Sequence, residues 1–533
     1  MSIERVRGRR RVAAPVPIRI RLRHLLPCLL ALAILAGTPA LAAGDALYAR
    51  ALETLGGADR LRAITTVHER VHAQNFEPFQ NRAADGPPNH VSDSEIEILW
   101  QPAMARFRIA TRIETFHPFH AFYDNLEVFD GKRGAREGKD GFRPSPGPAL
   151  APARAAAELK ALWLGHPALL MAHADSVTRL ADALDAGRRL AVYEIAAADA
   201  LWHLAIDPDS ALPAKVETVE RDPVWGRVAN SYRFANWRVV DGVRVPFRRE
   251  QTVAPAPARA APRPYADLVG RVVLREIALD PPTGPDAFTI DGVPSANVPR
   301  GDLWAWGHGM SHWFLRRAAM GGQADEDQSQ TIDFLEVGAG LYQVTGSSHH
   351  NLLVVGPDSL LLVDAPLYPE RSRSILSALT RRWPDKPLSH VVLTHHHNDH
   401  MGGLAPYAAA GARIVASAAD LGLYREMIRR TTGTDPDLVG ITEKGQVPGF
   451  ARPVAVYAVP NGHAFDMLIV HVPDARLLFD SDLYSPGRQA QNPQWARELY
   501  DAITYYGLDV ATLVGGHGHG TEPIAALAKL VGE

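Results

Sequence analysis

Thr394-His395-His396-His397-Asn398-Asp399-His400, followed at once by Gly402 and Gly403, is the stretch on which the reading of this chain turns. The residues before it, His390-Val391-Val392-Leu393-Thr394, form a short apolar, β-branched run that reads as a buried strand. Side chains alternate faces along extended chain, so His395 and His397 are expected to point the same way, toward one metal. Where the chain turns, Asp399 and His400 can reach a second. Imidazole together with carboxylate suits zinc or iron. The bland alternative is a polar turn with clustered histidines. Composition alone would produce the pattern with odds on the order of a few in a thousand.

The rest of the chain limits what such a site could serve. At 533 residues it is long enough for more than one domain, and its net charge of -3 gives no reason to expect nucleic acid as a partner. The N-terminus reads as an export signal over residues 1–42. Arg5 to Arg23 form a basic region, Leu25 to Ala36 an apolar segment, and Ala40-Leu41-Ala42 a small-residue cleavage site. The alternative, an uncleaved anchor, is opposed by the shortness of the apolar run and by Pro27 and Pro39. A periplasmic location follows as an expectation, with no membrane span in the mature chain. The single cysteine, Cys28, lies inside that signal, so the mature chain is expected to lack disulfides, thiolate ligands and a cysteine nucleophile.

Two breaks divide the remainder. Pro255 to Pro264 is a Pro/Ala stretch that reads as a loop, and the glycine-led polar run 321–330 reads as an interdomain linker. Residues 43–320 are expected to be mostly antiparallel β. Glu95 to Trp100, Ala105 to Glu114, Ala191 to Ile195 and Leu201 to Ile206 alternate, and Asp241-Gly242 between two apolar runs is a hairpin signal. Helices are expected from about Ala153 to Leu164 and near Ser176 to Ala183, with Pro152 and Ser176 at their starts. This strand layout resembles the curved-sheet lipoprotein-carrier fold, which covers apolar ligands. Trp304, Trp306, His308, His312 and Trp313 look like an amphipathic helix or interdomain packing. From 331 to 533, strand-like runs alternate with helical stretches, an α/β pattern with more than one sheet's worth of strands.

Further motifs follow in order. Asp364 ends Leu361-Leu362-Val363-Asp364, His463 closes Pro460-Asn461-Gly462-His463, Asp482 follows Leu477-Leu478-Phe479-Asp480-Ser481, and His517 lies in Val514-Gly515-Gly516-His517-Gly518. On these residues, about 200 C-terminal positions resemble the metallo-beta-lactamase superfamily. The resemblance implies a four-layer αββα sandwich, here preceded by the β-rich domain. Carried over by position, it implies that His395, His397 and His463 hold one metal, that Asp399, His400 and His517 hold the other, and that Asp482 bridges them. Two Zn²⁺ would be the cofactors, with iron as the alternative. Cations roughly 3.5–4 Å apart can share one water and lower its pKa toward about 7. The implied enzyme is a hydrolase that uses this hydroxide, oriented by Asp399, on an ester, thioester, lactone, lactam or phosphodiester of a small-molecule substrate.

Several positions stay open at this level. Asp480 competes with Asp482, and His519 with His517; the small residue before Asp482 and the glycines around His517 favour those two. His396 points away from its neighbours, and Asp466 is expected to orient His463. His349, His350 and Asn351 read either as substrate contacts or as an exposed turn. Tyr484 could donate to an oxyanion and Arg488 could bind an anion, though an aromatic in packing and a surface arginine are the plainer readings. Two other functions compete with the hydrolase. One is a mononuclear iron persulfide dioxygenase of the same superfamily, which would leave Asp399, His400 and His517 unused. The other is an apolar-ligand carrier with a structural metal domain.

Overall fold

The computed structural model describes residues 45–533 except 118–119, 141–142, 145–149, 151, 223–224, 256–266, 299–330 and 489–491. The export signal, most of the Pro/Ala loop, the linker and the tryptophan-histidine cluster before it therefore lie outside the described residues. Leu41–Glu533 make up one compact unit. Among the described residues no helix is long and apolar enough to cross a membrane.

The N-terminal region is one large antiparallel sheet. One meander runs from Val67–Glu77 through Asn89–Gln101 and Arg106–Thr115 to Ala121–Phe129. A second runs from Arg188–Ala197 to Asp267–Leu279 and joins the first where that last strand pairs with Val67–Glu77, in the middle of an open sheet. Alternation sets the faces: Val67–Glu77 buries every second residue. Asp241-Gly242 makes the expected two-residue hairpin. Val240 pairs with Val243, and both turn residues have positive φ, 47° and 81°, as a type I′ turn requires. The helix expected over Ala153–Leu164 is present as Pro152–Gly165.

The helix expected near Ser176 is not present. Ser176–Arg179 is a strand on the edge of Arg188–Ala197. The real second helix is Pro167–Ala172, with its proline in the first turn and all six residues buried. A helix apolar on every side shows no amphipathic period, whereas Val177-Thr178 carries β-branched side chains suited to an edge. These helices and Ala46–Leu55 pack on the sheet around Trp100, Trp163 and Trp202. Trp100 and Trp163 meet edge to face at 5.0 Å. An apolar ligand of the kind the carrier resemblance implies would have to compete with this packing.

The C-terminal region is the αββα sandwich. A seven-stranded sheet runs from Asp333–Gly338 to Leu438–Ile441, and a six-stranded sheet from Lys444–Gln446 to Thr521–Pro523. Leu360–Val363 explains the layering. Leu360 and Leu362 face a core with the helices Pro369–Arg382, Leu404–Ala409 and Leu421–Thr432, while Leu361 and Val363 face the second sheet. Pro493–Tyr505 and Ile524–Val531 cover that sheet's far side. A strand buried on both faces reads as a continuous apolar run, which is what the sequence has here. Phe79, Trp225, Val228, Val253 and Val269 of the N-terminal region belong to the same core as the first helical layer. Phe79 stacks on Trp225 at 4.8 Å, and Arg430 donates to the Trp225 carbonyl at 3.0 Å.

Candidate metal centre

The histidine run follows the strand Leu388–Val392, and its last residues form the short helix Asn398–Met401. Gly402 and Gly403 allow that helix to lie against the neighbouring loop. A Cβ on Gly402 would come within 2.1 Å of the Leu367 carbonyl, and one on Gly403 within 2.3 Å of Ser372 Oγ. Asp364, at φ 66°, holds the run from the next strand. It accepts from the Thr394 N–H at 2.8 Å, the Thr394 hydroxyl at 2.8 Å and His400 Nδ1 at 3.1 Å.

These contacts fix ring tautomers. His395 Nδ1 lies 3.0 Å from Thr394 Oγ1, whose proton already goes to Asp364, so Nδ1 carries the hydrogen and Nε2 is left bare. His400 is likewise bonded through Nδ1 and bare at Nε2. His397 is turned the other way: Nε2 donates to the Asn81 carbonyl at 3.0 Å, which leaves Nδ1. His395 Nε2, His397 Nδ1, His400 Nε2 and both nitrogens of His463 are buried without a hydrogen-bond partner.

They converge on Asp482. Its Oδ2 lies 2.9 Å from His463 Nε2 and 3.4 Å from His395 Nε2, and its Oδ1 lies 3.0 Å from both His400 Nε2 and His517 Nε2. Two groups result, each with donor atoms within 4.8 Å of one another: His395, His397, His463 and Asp482; and His349, Asp399, His400 and His517. Buried polar groups are ordinarily paired, and bare imidazole nitrogens aimed at one point are the arrangement a cation satisfies. Burial opposes the charge of Asp482, but His400 and His517 hold its carboxyl well below the usual range. Burial, reinforced by His463 and His395, pushes His397 well below the usual imidazole range, toward its neutral, ligating form.

The open positions resolve as follows. Asp480 stays out of the cluster; it caps the N–H groups of Leu483 and Tyr484, and burial pushes it up to about 8. His519 is exposed. Asp466 does not orient His463. It bonds His396 Nδ1 at 2.7 Å, while His396 Nε2 reaches the Asn81 carbonyl at 2.9 Å. The reason is local: Asn461 Oδ1 accepts from the N–H groups of His463 and Ala464, a tight turn after which Asp466 faces His396. Burial opposes charge on His396, but Asp466 raises its pKa above the ordinary value. His349, His350 and Asn351 are buried and form no exposed turn. Tyr484 turns its hydroxyl to Glu522, and Arg488 is exposed.

Sequence reasoning missed the contribution of the N-terminal region. The loop after Val67–Glu77 lies against the histidine run. Gln80 Nε2 donates to Asp399 Oδ1 at 2.7 Å, the Asn398 N–H donates to the Phe79 carbonyl at 3.3 Å, and the Phe465 N–H donates to the Arg82 carbonyl at 2.7 Å. In the loop after Arg106–Thr115, burial first and then the charge of His463 lower His117 to about 4. The one signal available was the length of the connection from 78 to 88, too long for a tight hairpin.

A sequence model of the metallo-beta-lactamase superfamily matches residues 344–517. This part of the chain belongs to the metallo-beta-lactamase superfamily. A hydroxyacylglutathione hydrolase of Rhodobacter capsulatus is 31% identical over 150 residues, 28% of this chain and 52% of that protein. A linear primary-alkylsulfatase of a Pseudomonas species is 35% identical over 81 residues, 14% of this chain and 12% of that protein. Among solved structures, a metallo-beta-lactamase from Pontibacter korlensis aligns at 19% identity and a TM-score of 0.32, over 38% of this chain and 98% of that one. The chain spans about half the length of the hydroxyacylglutathione hydrolases it matches, 52% and 44% for two of them. The similarity to curated relatives thus covers part of the chain, while the metallo-beta-lactamase domain here is completed by a loop from the preceding sheet.

Proposed function

We propose that this protein is a metal-dependent hydrolase with two cations, zinc being the first expectation and iron the alternative. His395, His397 and His463 would hold one, Asp399, His400 and His517 the other, and Asp482 both. The observation that carries this reading is the set of buried, unpartnered imidazole nitrogens around Asp482. Such a pair supplies Lewis acidity and a water acidified to a pKa of about 7. The chain's own residues do the rest. Asp364 and Thr394 keep His395 and His400 in one tautomer, and the Asn81 carbonyl keeps His397 in the other. Asp399, its Oδ1 engaged by Gln80, directs Oδ2 to the cluster. Trp495, 4.6 Å from the His463 ring, and exposed Phe465 under Arg82 offer an apolar, cationic rim for substrate.

The completeness of the second group favours this over a mononuclear iron oxygenase, which would have no use for it. The relatives' names put acylglutathione at the head of a substrate panel, followed by alkyl sulfates, then lactones, lactams and phosphodiesters. The test is elemental mass spectrometry on the purified protein with hydrolysis of that panel. Two zinc ions per chain and chelator-sensitive turnover are expected; full turnover without metal would overturn the reading. One iron per chain with oxygen consumption would transfer it to the oxygenase. We further propose that residues 1–42 are an export signal and that the mature chain is periplasmic. Amino-terminal sequencing of the fractionated protein tests this, with a start near residue 43 expected.

A further inference from the structure

The second group contains a donor that its sequence motif does not supply. His349 precedes the strand Asn351–Val355, is 4% exposed, and places Nε2 3.0 Å from Asp399 Oδ2. Its ring lies 4.3 Å from that of His517 and 5.2 Å from that of His400. One donor atom from each of His349, Asp399, His400 and His517 falls within 4.8 Å of the others. On its far side, His349 Nδ1 lies 2.8 Å from Ser348 Oγ, which can take the ring N–H and leave Nε2 as a lone pair facing the group. Gln80 Nε2 donates to Asp399 Oδ1 at 2.7 Å, while Asp399 Oδ2 is the oxygen that faces His349.

Resting on the two-cation reading, we propose that His349 is a ligand of the second cation, making that site richer in protein donors than the first. The second cation is then held by His349, Asp399, His400, His517 and Asp482, and the first by His395, His397, His463 and Asp482. Every protein donor takes a coordination position that water or substrate would otherwise use, and open positions mark the catalytic cation. The two sites would therefore divide their work: the first donor set would leave more positions open to substrate, and the second, with His349, would anchor its cation and resist chelation. The alternative role for His349 is a plain hydrogen bond from Nε2 to Asp399, which would position that carboxylate without touching the cation.

Two substitutions separate these roles. His349→Gln keeps an N–H donor for Asp399 but ligates poorly, and His349→Ala removes both. The full-length mature protein is loaded with Zn²⁺ or Co²⁺, titrated with chelator, and followed by elemental analysis and by the cobalt absorption bands. The native protein is expected to retain two cations, one more tightly than the other. In both variants the tight cation should bind at least about tenfold more weakly and its cobalt bands should change, while the weaker site keeps its affinity. Native-like affinity and cobalt bands in His349→Gln would overturn the assignment of His349 and leave the two-cation reading intact. A native protein that holds fewer than two cations would overturn both. Thermal melts show whether His349→Ala folds; if it does not, His349→Gln carries the test.

Discussion

Two clusters of buried charge lie in this molecule, and they are built on opposite terms. In the N-terminal sheet, Glu69 is fully satisfied by protein. Arg249 donates to both of its oxygens, at 3.0 and 2.7 Å, and His166 Nε2 lies 3.3 Å from one of them. Nearby, Lys160 pairs with Glu220 at 3.0 Å, and Asn230 donates to the same carboxylate at 2.8 Å. Around Asp482, by contrast, His395, His397 and His400 are hydrogen-bonded through one ring nitrogen and lack a hydrogen-bond partner at the other, and His463 lacks one at both. In the first cluster both oxygens of Glu69 meet a protein donor, although His166 Nε2 and Arg249 Nε make no hydrogen bond, and the pairs hold the sheet to its covering helices. The second is complete only with something positively charged at its centre. Burial and charge are common to both; what separates them is that the carboxylates of the first meet an arginine or a lysine of the protein, while the second gathers several imidazoles around one carboxylate.

The comparison can be broken most forcefully at Asp482. Asp482→Ala should lower turnover by on the order of 10³-fold or more and release metal from both groups. Intact metal content in that variant would show that Asp482 does not bridge. Next in size is Glu69→Ala, which leaves Arg249 buried without its partner and should cost about 3–5 kcal/mol in a denaturant titration. Metal content per folded molecule should not change.

The two clusters should also part on acidification. Burial opposes charge on Glu69, but Arg249 and His166 hold it far below the usual range. Its contribution to stability is therefore present in full above the unfolded carboxylate value of about 4.3, and is lost as pH falls toward the folded value. Metal binding requires deprotonated histidines and should weaken on acidification, starting below the ordinary imidazole value of about 6.5 for ligands not shifted down as His397 is. Between those limits the protein should lose metal and keep its fold, which elemental analysis and circular dichroism at pH 5 would check. Simultaneous loss of both would mean that the clusters are not separable.

Gln80→Ala sharpens the comparison from the N-terminal side. It should weaken binding of the second cation by about 10–100-fold, read by chelator competition. The smallest effect belongs to Tyr484→Phe. Its hydroxyl bonds Glu522, so turnover should be unchanged and stability should fall by about 1 kcal/mol.

Much of the C-terminal domain was legible because its signals are local. Leu360–Val363 reads as a strand buried twice over, and His395 to His400 are neighbours in sequence as well as in space. The small residue before Asp482 separated it from Asp480, and the structure adds the cause: Asp480 is engaged in capping the turn that follows it. Other expectations depended on where a turn sends a side chain. Asp466 went to His396 because the Asn461 turn decides its direction. Pro167–Ala172 shows no helical period because it is buried all round, and His349 reads either as a substrate contact or as an exposed turn because nothing beside it in sequence shows that it is buried.

The sequence by itself determined which donor atoms the chain owns, their order, and the β-branched and leucine-rich runs that carry them to the ends of buried strands. Those properties follow from composition and period, which act over a few residues. Only the tertiary structure decided that Gln80 meets Asp399 across 319 positions, that the Asn81 carbonyl selects the tautomer of His397, and that His349 joins the second group. Such meetings depend on how a sheet docks on a sandwich through Phe79 and Trp225, and non-directional apolar packing of that kind leaves no local pattern in the chain.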